Sequence, residues 1–278
     1  VNLDKSDIKY QIQRFPDGQQ NVVINTMFIN GIKLVTVDSK INSLFARDFP
    51  VWKEPVQIKS RLNNWLDLEL TTCAVASLRE LGVEEIHLYV PYILGARSDR
   101  KFQNGGNNYL RDVICPAINS LGFKTVTCID PHSDVLEACI KRFNKKSNEN
   151  LIEFAFQNIP SMNSSVYKMK MENIILVSPD AGASKKIYKL AEQIGYKGDI
   201  ITCSKDRDTD GKLTKTVVPT NNIGMKDCII IDDICDGGAT FINIAKKLKL
   251  YQERTGLKGL KIYLIVTHSI FSKGTNEL

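Results

Sequence analysis

The chain has 278 residues, of which 43% are hydrophobic and 24% are charged. These proportions are typical of globular proteins with one or two domains, and they exclude a disordered or fibrous chain. No apolar run approaches the roughly 20 residues of a membrane-spanning helix, and the N-terminus lacks the apolar segment of a secretory signal. The formal charge of +6 is spread over dispersed lysines and arginines. We therefore expect neither a membrane nor a nucleic-acid partner.

The cysteines indicate a reduced, cytoplasmic protein. Their number is odd, they are scattered, and none form a C-x-x-C pair. Several lie in apolar stretches, where cysteine behaves as a small hydrophobic residue, so neither disulfides nor a zinc site are expected. The seven residues are Cys73, Cys115, Cys128, Cys139, Cys203, Cys228 and Cys235.

Short apolar runs alternate with segments of helical periodicity in the first half of the chain, which is typical of α/β proteins. The apolar runs predict strands over Lys33–Val37, Glu85–Tyr92 and Lys124–Ile129. The periodic segments predict helices over Leu62–Leu81, Tyr109–Leu121 and Asp134–Arg142.

The polar, turn-rich composition of Phe143–Tyr167 predicts a domain junction. Strands are then predicted over Asn173–Val177, Asp199–Cys203, Cys228–Asp232 and Lys261–Thr267. Helices are predicted over Ser184–Ile194 and Thr240–Gln252. The shared rhythm of the two halves predicts two similar domains, with ligands at the carboxyl ends of the strands.

The segment Ile229–Thr240 carries the strongest functional pattern. Its isoleucines predict a buried strand, from whose carboxyl end Asp232 and Asp233 emerge. The small residues that follow let backbone N–H groups close around a phosphate at a helix N-terminus, and adjacent carboxylates can accept hydrogen bonds from two ribose hydroxyls. A plain helix-capping turn is the alternative, but it does not require this pattern. The segment therefore predicts a ribose 5-phosphate site.

This segment resembles the phosphoribosyl-binding motif of type I phosphoribosyltransferases and of ribose-phosphate pyrophosphokinases. Further segments resemble the pyrophosphokinases and run in family order over nearly the whole chain, which suggests a divergent, short member. They are RFPDGQQN at Arg14–Asn21, PYILGARSDRK at Pro91–Lys101, DPHSD at Asp130–Asp134, VSPDAGASKK at Val177–Lys186 and VTHSIFS at Val266–Ser272.

The resemblance implies an α/β fold of two phosphoribosyltransferase-like (type I) domains, each a mostly parallel sheet flanked by helices. Residues 1–145 would form the ATP side, and residues 146–278 the phosphoribosyl and pyrophosphate side. It implies ATP contacts at Phe15, Asp17, Gln19, Arg97, Ser98, Asp99 and His132. It implies acceptor contacts at Asp180, Asp232, Asp233, Asp236, Gly237, Gly238, Ala239 and Thr240.

The same resemblance implies Mg²⁺ ligands at His132 and Asp180, and a catalytic pair of cations at Lys205 and Arg207. His132, taken by itself, is as readily a structural residue as a ligand. The charged segment around Lys205 also opens like an EF-hand calcium loop, but Val217 stands where the bidentate glutamate should be. Two fixed cations near a transferring phosphoryl group would stabilise its charge.

The implied reaction moves the β,γ-pyrophosphoryl group of MgATP onto the 1-hydroxyl of ribose 5-phosphate and releases AMP. The family hairpin matched by Arg14–Asn21 reaches the ATP of a neighbouring subunit, so we expect a homo-oligomer with the ATP site at a subunit interface.

The phosphate loop departs from the family pattern. Asp236-Gly237-Gly238-Ala239-Thr240 stands where the family commonly has Asp-Thr-Gly-Gly-Thr, so one hydroxyl donor is lost and space is left. Such a loop suits a phosphodiester, and ADP-ribose is therefore an alternative acceptor, whose pyrophosphorylated product would serve NAD synthesis from nicotinamide. Two further alternatives are a type I phosphoribosyltransferase, which would not need the ATP-type segments, and a regulatory homologue without activity.

Overall fold

The computed structural model describes residues 10–24, 28–29, 32–33, 55–101, 103–159, 171–207, 213–220, 223–257, 259 and 261–278. The chain divides into two compact units, residues 1–146 and 147–278. Among the described residues, no helix combines the length and apolarity that crossing a membrane requires.

Two antiparallel hairpins come first in the chain. β1 (Tyr10–Arg14) pairs with β2 (Gln20–Ile24), and β3 (Phe28–Ile29) pairs with β4 (Ile32–Lys33). Of the predicted strand Lys33–Val37, only Lys33 falls within the described residues. The first hairpin is fixed to helix α1 (Trp65–Glu80), because Ser77 Oγ donates a 2.6 Å hydrogen bond to the carbonyl of Val22.

A four-stranded parallel sheet forms the centre of the first unit, in the order β5 (Val56–Lys59), β6 (Ile86–Tyr89), β7 (Thr125–Ile129) and β8 (Phe143–Lys146). Its other helical elements are a π-helical turn at Leu110–Ile114 that continues into α2 (Cys115–Ser120), and α3 (Val135–Cys139). Buried aliphatic residues of the strands and helices form one core, including Leu78, Ile86, Leu88, Ile114, Ile118 and Val126.

The segment predicted as a polar junction is more ordered than expected. The predicted helix Asp134–Arg142 ends at Cys139, and β8 follows directly. The helix ends because Ile140 is extended, with φ −86° and ψ 123°. Arg142 then takes a left-handed φ of 56° and donates from Nε to the carbonyl of Phe123 at 2.7 Å. Helix α4 (Glu149–Asn158) comes next and belongs to the second unit.

The second unit contains another parallel sheet, in the order β10 (Ile200–Thr202), β9 (Ile174–Ser178), β13 (Asp227–Cys235) and β14 (Ile262–Ser269). A hairpin of β11 (Ser204–Arg207) and β12 (Leu213–Val217) follows β10. Among its described residues, the α-helices are α4, α5 (Ala181–Gln193) and α6 (Ala239–Thr255), and a 3-10 turn at Met171–Asn173 precedes β9.

Strand β13 separates two apolar layers. Ile229 and Ile231 pack with residues of α4 and α5, whereas Ile230 packs with α6. The strand also runs further than predicted, to Cys235, because Ile234 and Cys235 pair with His268 and Ser269 of β14. Asp232 and Asp233 therefore lie within the strand and not in the loop after it.

Candidate active site

The candidate site lies at the carboxyl ends of β9 and β13, which are adjacent and parallel in the second sheet. β9 leads through Pro179 and Asp180 into α5, and β13 leads through Asp236 and two glycines into α6. Parallel strands present their carboxyl ends at one edge of the sheet, so two strand–helix turns lie side by side there. Helix N-termini of this kind attract anions.

Asp180 begins helix α5 as its N-cap. Its Oδ1 accepts the N–H of Ala183 at 2.9 Å, and Ser178 Oγ donates to its carbonyl at 2.7 Å. A Cβ on Gly182 would stand 3.1 Å from Asp180 Oδ1, so a small residue is needed at this point of the turn. This turn, within the family-like segment Val177–Lys186, is therefore held by its own hydrogen bonds.

Asp233 forms a close ion pair with Lys186 of α5. The distance between Lys186 Nζ and Asp233 Oδ2 is 2.6 Å, and the Asp233 side chain is only 7% exposed. The pair forms because Asp233 continues the face of β13 that packs against α5. We assigned no role to Lys186 from the sequence; the alternation of Ile229, Ile231 and Asp233 is the signal that could have found it.

Asp232 has an unusual pKa. The pKa of Asp232 is raised to about 7, chiefly by burial and also by the negative charges of Asp233 and Asp180 and a side-chain hydrogen bond with Asp233, while a 2.8 Å hydrogen bond from the N–H of Asp233 opposes the shift. Desolvation and neighbouring like charge both disfavour the ionised carboxylate. The electrostatic influence of Asp180 also indicates that the two strand–helix turns lie close together.

Gly238 is the N-cap of α6 and takes a left-handed φ of 77°. This conformation is costly for residues with a side chain, and a Cβ here would stand 3.3 Å from the Leu278 side chain. Gly237, the position where the family commonly has threonine, lies against the side chain of Lys273. Of the other predicted loop contacts, Ala239 is exposed and Thr240 is half-buried.

The predicted adenine contacts lie on the turn of the first hairpin. Phe15 N–H donates to the carbonyl of Gln19 at 2.9 Å, and Gln19 N–H donates to Asp17 Oδ1 at 3.1 Å. One oxygen of Asp17 thus shapes the turn. Phe15 is 42% exposed, as an aromatic ring must be if it is to stack on a ligand.

Arg97, Ser98 and Asp99 lie in the loop after β6. The loop is fixed to the following helical segment, because Leu110 N–H donates to the carbonyl of Ser98 at 3.1 Å and the Asn108 amide donates to the carbonyl of Asp99. Within this anchored loop, Arg97 is exposed.

His132 is half-buried and follows β7. Two residues earlier, Asp130 is buried with a left-handed φ of 41°, and its N–H donates to the carbonyl of Lys146 at 2.9 Å. Left-handed conformations of residues with side chains concentrate at functional sites. Within the described part of the chain, the buried Ser133 Oγ next to His132 has no hydrogen-bond partner.

The structure thus brings the predicted acceptor contacts together in the second unit and places the predicted ATP contacts on three segments of the first. His132 lies in the first unit and Asp180 in the second. The catalytic prediction, Lys205 and Arg207, falls on β11, but their side chains lie outside the described part of the structure. In that described part, no group of three or more His, Cys, Asp or Glu residues could hold a metal ion.

Two parallel α/β units with this strand–loop–helix site define a protein of the type I phosphoribosyltransferase-like class. The crystal structure of phosphoribosylpyrophosphate synthetase from Mycobacterium smegmatis has the same fold, with a TM-score of 0.68 and 17% identity over 96% of this chain and 75% of that one. No family model matches the chain.

Several curated proteins named ribose-phosphate pyrophosphokinase are similar to this chain in sequence. That of Sulfurisphaera tokodaii is 27% identical over 270 residues, which cover 97% of this chain and 79% of that protein. That of Saccharolobus solfataricus is 26% identical over 61% of this chain and 54% of its own length. That of Mycoplasmopsis pulmonis is 27% identical over 76% of this chain and 60% of its own length. The chain is therefore similar in sequence to ribose-phosphate pyrophosphokinases, over 61% to 97% of its length in these three matches.

Proposed function

We propose that this protein transfers the β,γ-pyrophosphoryl group of MgATP to the 1-hydroxyl of ribose 5-phosphate, giving phosphoribosyl pyrophosphate and AMP. The observation that carries the proposal is the edge of the second sheet. There the carboxylates of Asp232 and Asp233 stand between the turn capped by Asp180 and the glycine loop that opens α6.

The acceptor is proposed to bind at this edge. The 5-phosphate would take hydrogen bonds from the N–H groups of Asp236–Thr240, aided by the dipole of α6. Asp232 and Asp233 would accept hydrogen bonds from the ribose hydroxyls and so orient the 1-hydroxyl. Lys186 pairs with Asp233, and an ammonium partner favours the ionised, hydrogen-bond-accepting form of a carboxylate.

ATP is proposed to bind through the first unit, with the hairpin residues Phe15, Asp17 and Gln19 at adenine and the loop residues Arg97, Ser98 and Asp99 at ribose and phosphate. Magnesium enters as MgATP, so phosphate oxygens and water supply most of its ligands. His132 and Asp180 are the proposed protein contacts of the ion, and the oxygen of a carboxylate suits Mg²⁺.

Pyrophosphoryl transfer requires mainly alignment and neutralisation of charge. Lys205 and Arg207 on β11 are proposed to stabilise the negative charge on the transferred group. Both residues belong to the same short strand, separated by Asp206.

ADP-ribose is a second candidate acceptor. In this molecule the 5-phosphate carries a further substituent, which has to leave the loop toward solvent. Ala239 is exposed and Gly237 is only half-buried, so the loop has an open side that suits such a substituent.

The test is to incubate the purified protein with MgATP and each acceptor separately and to quantify AMP. Release with ribose 5-phosphate alone supports the first candidate, and release with ADP-ribose alone supports the second. Nucleobase-dependent release of pyrophosphate from phosphoribosyl pyrophosphate would instead indicate a phosphoribosyltransferase. No AMP with either acceptor, from a folded protein, would contradict both candidates.

We also propose a cytoplasmic homo-oligomer. None of the seven cysteines forms a disulfide within the described part of the chain, which suits a reducing compartment. The exposed Phe15 ring at the hairpin tip suits a contact with a neighbouring subunit. Light scattering of the wild type and of Phe15→Ala tests this point, since a monomeric wild type would contradict it.

A further inference from the structure

Lys273 lies against the glycine loop that follows β13. A Cβ placed on Gly237 would stand 3.5, 3.6 and 3.8 Å from Cδ, Cε and Cγ of Lys273. The lysine stem therefore lies along the loop at the position where the family commonly has threonine. Because a C–N bond is about 1.5 Å long, the Lys273 ammonium lies within about 5 Å of that position. Within the described ranges, no carboxylate pairs with this ammonium.

The segment that carries Lys273 is anchored to the same loop. The N–H groups of Ile270 and Phe271 donate to the carbonyl of Cys235, at 2.9 and 3.2 Å. Phe271 takes a left-handed φ of 49°, and Gly274 N–H closes the turn by donating to the carbonyl of Phe271 at 2.8 Å. The backbone of Lys273 is thus held in a defined turn beside the loop.

Gly237 and Lys273 fit one another. Gly237 is not among the residues with a positive φ, unlike its neighbour Gly238, so its backbone conformation would accept a side chain. Its Cβ would already be in van der Waals contact with the Lys273 stem. The further atoms of a threonine would need room that the stem occupies, whereas glycine leaves that room free.

We propose that Lys273 is a specificity-determining residue of the acceptor site. Its ammonium binds the phosphoryl group on C5 of the acceptor, in place of the hydroxyl donor that Gly237 lacks. The inference rests on the proposed function, because it assigns the phosphate loop to the acceptor. A hydrogen bond from an ammonium to phosphate is about twice as strong as one between neutral groups, so the exchange strengthens the hold on the phosphoryl group.

The main experiment compares steady-state AMP release by Lys273→Met, Lys273→Arg and the wild type. Methionine keeps an apolar stem against Gly237 but removes the charge. We expect Lys273→Met to raise the acceptor KM about tenfold, the loss of one charge-assisted hydrogen bond, with kcat and the KM for ATP unchanged. Lys273→Arg keeps the charge and should restore most of the acceptor affinity.

Two controls separate this role from a structural one. Lys249→Met removes another exposed charge, from α6 and about 15 Å along the helix from its first residue, and should leave the acceptor KM unchanged. Ribose, which has no phosphate, should be used as poorly by Lys273→Met as by the wild type. A loss of stability or folding would instead affect both acceptors equally.

An unchanged acceptor KM in Lys273→Met, with an active wild type, would overturn the proposal and leave the proposed function standing. A wild type that releases no AMP with any acceptor would remove the proposed function instead. In that case, calorimetric titration with ribose 5-phosphate still tests Lys273, because equal binding by the wild type and Lys273→Met would overturn its role.

Discussion

The replacement Lys186→Met tests the electrostatic core of the candidate site. It removes the ammonium that lies 2.6 Å from Asp233, and it keeps a long unbranched side chain on α5. The carboxylate of Asp233 would remain at a position where its side chain is 7% exposed. A buried charge would thus lose its partner without any change in the helix.

The expected loss of stability follows from the exposed fractions of the Asp233 and Lys186 side chains. Removing one partner of a fully buried pair costs about 3–5 kcal/mol, because the other charge stays buried. The Lys186 side chain is 38% exposed, so water can enter the vacated space and solvate Asp233 in part. We therefore expect the free energy of unfolding to fall by about 2–3 kcal/mol, a large share of the roughly 5–15 kcal/mol of an ordinary domain.

Urea denaturation followed by far-ultraviolet circular dichroism measures this loss. Lys226→Met is the matched control, because Lys226 pairs with Asp199 in the same unit at 3.2 Å, but the Asp199 side chain is 56% exposed. Exposed pairs contribute about 0–1 kcal/mol, so the control should change little. The double variant Lys186→Met/Asp233→Asn removes both charges and should recover most of the stability.

Equal losses in Lys186→Met and Lys226→Met would refute the reasoning, because they would mean that the burial of Asp233 does not strengthen its pair. A double variant that is no more stable than Lys186→Met would refute it in another way. The loss would then come from altered packing of α5 and not from an unpaired charge.

Three further predictions follow from the site. Lys205→Ala should lower the turnover of AMP release by about a thousandfold with little change in acceptor KM, as expected for a group that acts on the transferred charge. The folded protein binds the proton of Asp232 more tightly than the unfolded chain, so the free energy of unfolding should fall as pH rises from 3.8 to about 7. In urea titrations across that pH range, the Asp232→Asn variant should not show this fall. The same pH dependence of stability in the variant and the wild type would contradict the prediction. Gly238→Ala should be more destabilising than Gly256→Ala in the same urea assay, because both glycines have positive φ but only at Gly238 would the new Cβ meet a neighbour, the Leu278 side chain; equal losses would contradict this.

Hydrophobic pattern alone predicted most of the sheets. The predicted strand Glu85–Tyr92 contains β6, and the predicted helix Ser184–Ile194 overlaps most of α5. The pattern did not predict β8, since Phe143–Lys146 has a single apolar residue and becomes a strand by pairing with β7. Edge pairing of this kind depends on the rest of the sheet and leaves no local signal.

The motif residues were predictable, but their partners were not. From the sequence we predicted that glycine at position 237 leaves space in the phosphate loop. In the fold, the stem of the Lys273 side chain lies in that space. Lys186 and Asp233 likewise meet only because α5 packs on one face of β13. Both contacts join residues far apart in the chain, so they follow from topology and register rather than from local pattern.

The two aspartates of the motif look equivalent in the sequence, but their surroundings make them different. Asp233 lies beside the ammonium of Lys186, while burial and the neighbouring carboxylates raise the pKa of Asp232 to about 7. Asp233 can therefore only accept hydrogen bonds, whereas Asp232 is close to its midpoint at neutral pH. A ribose hydroxyl that donates to Asp232 would stabilise its ionised form, so acceptor binding and loss of this proton should be coupled. The pair would then combine Asp233, which accepts hydrogen bonds before the sugar binds, with Asp232, which loses its proton and becomes a full acceptor when the sugar binds.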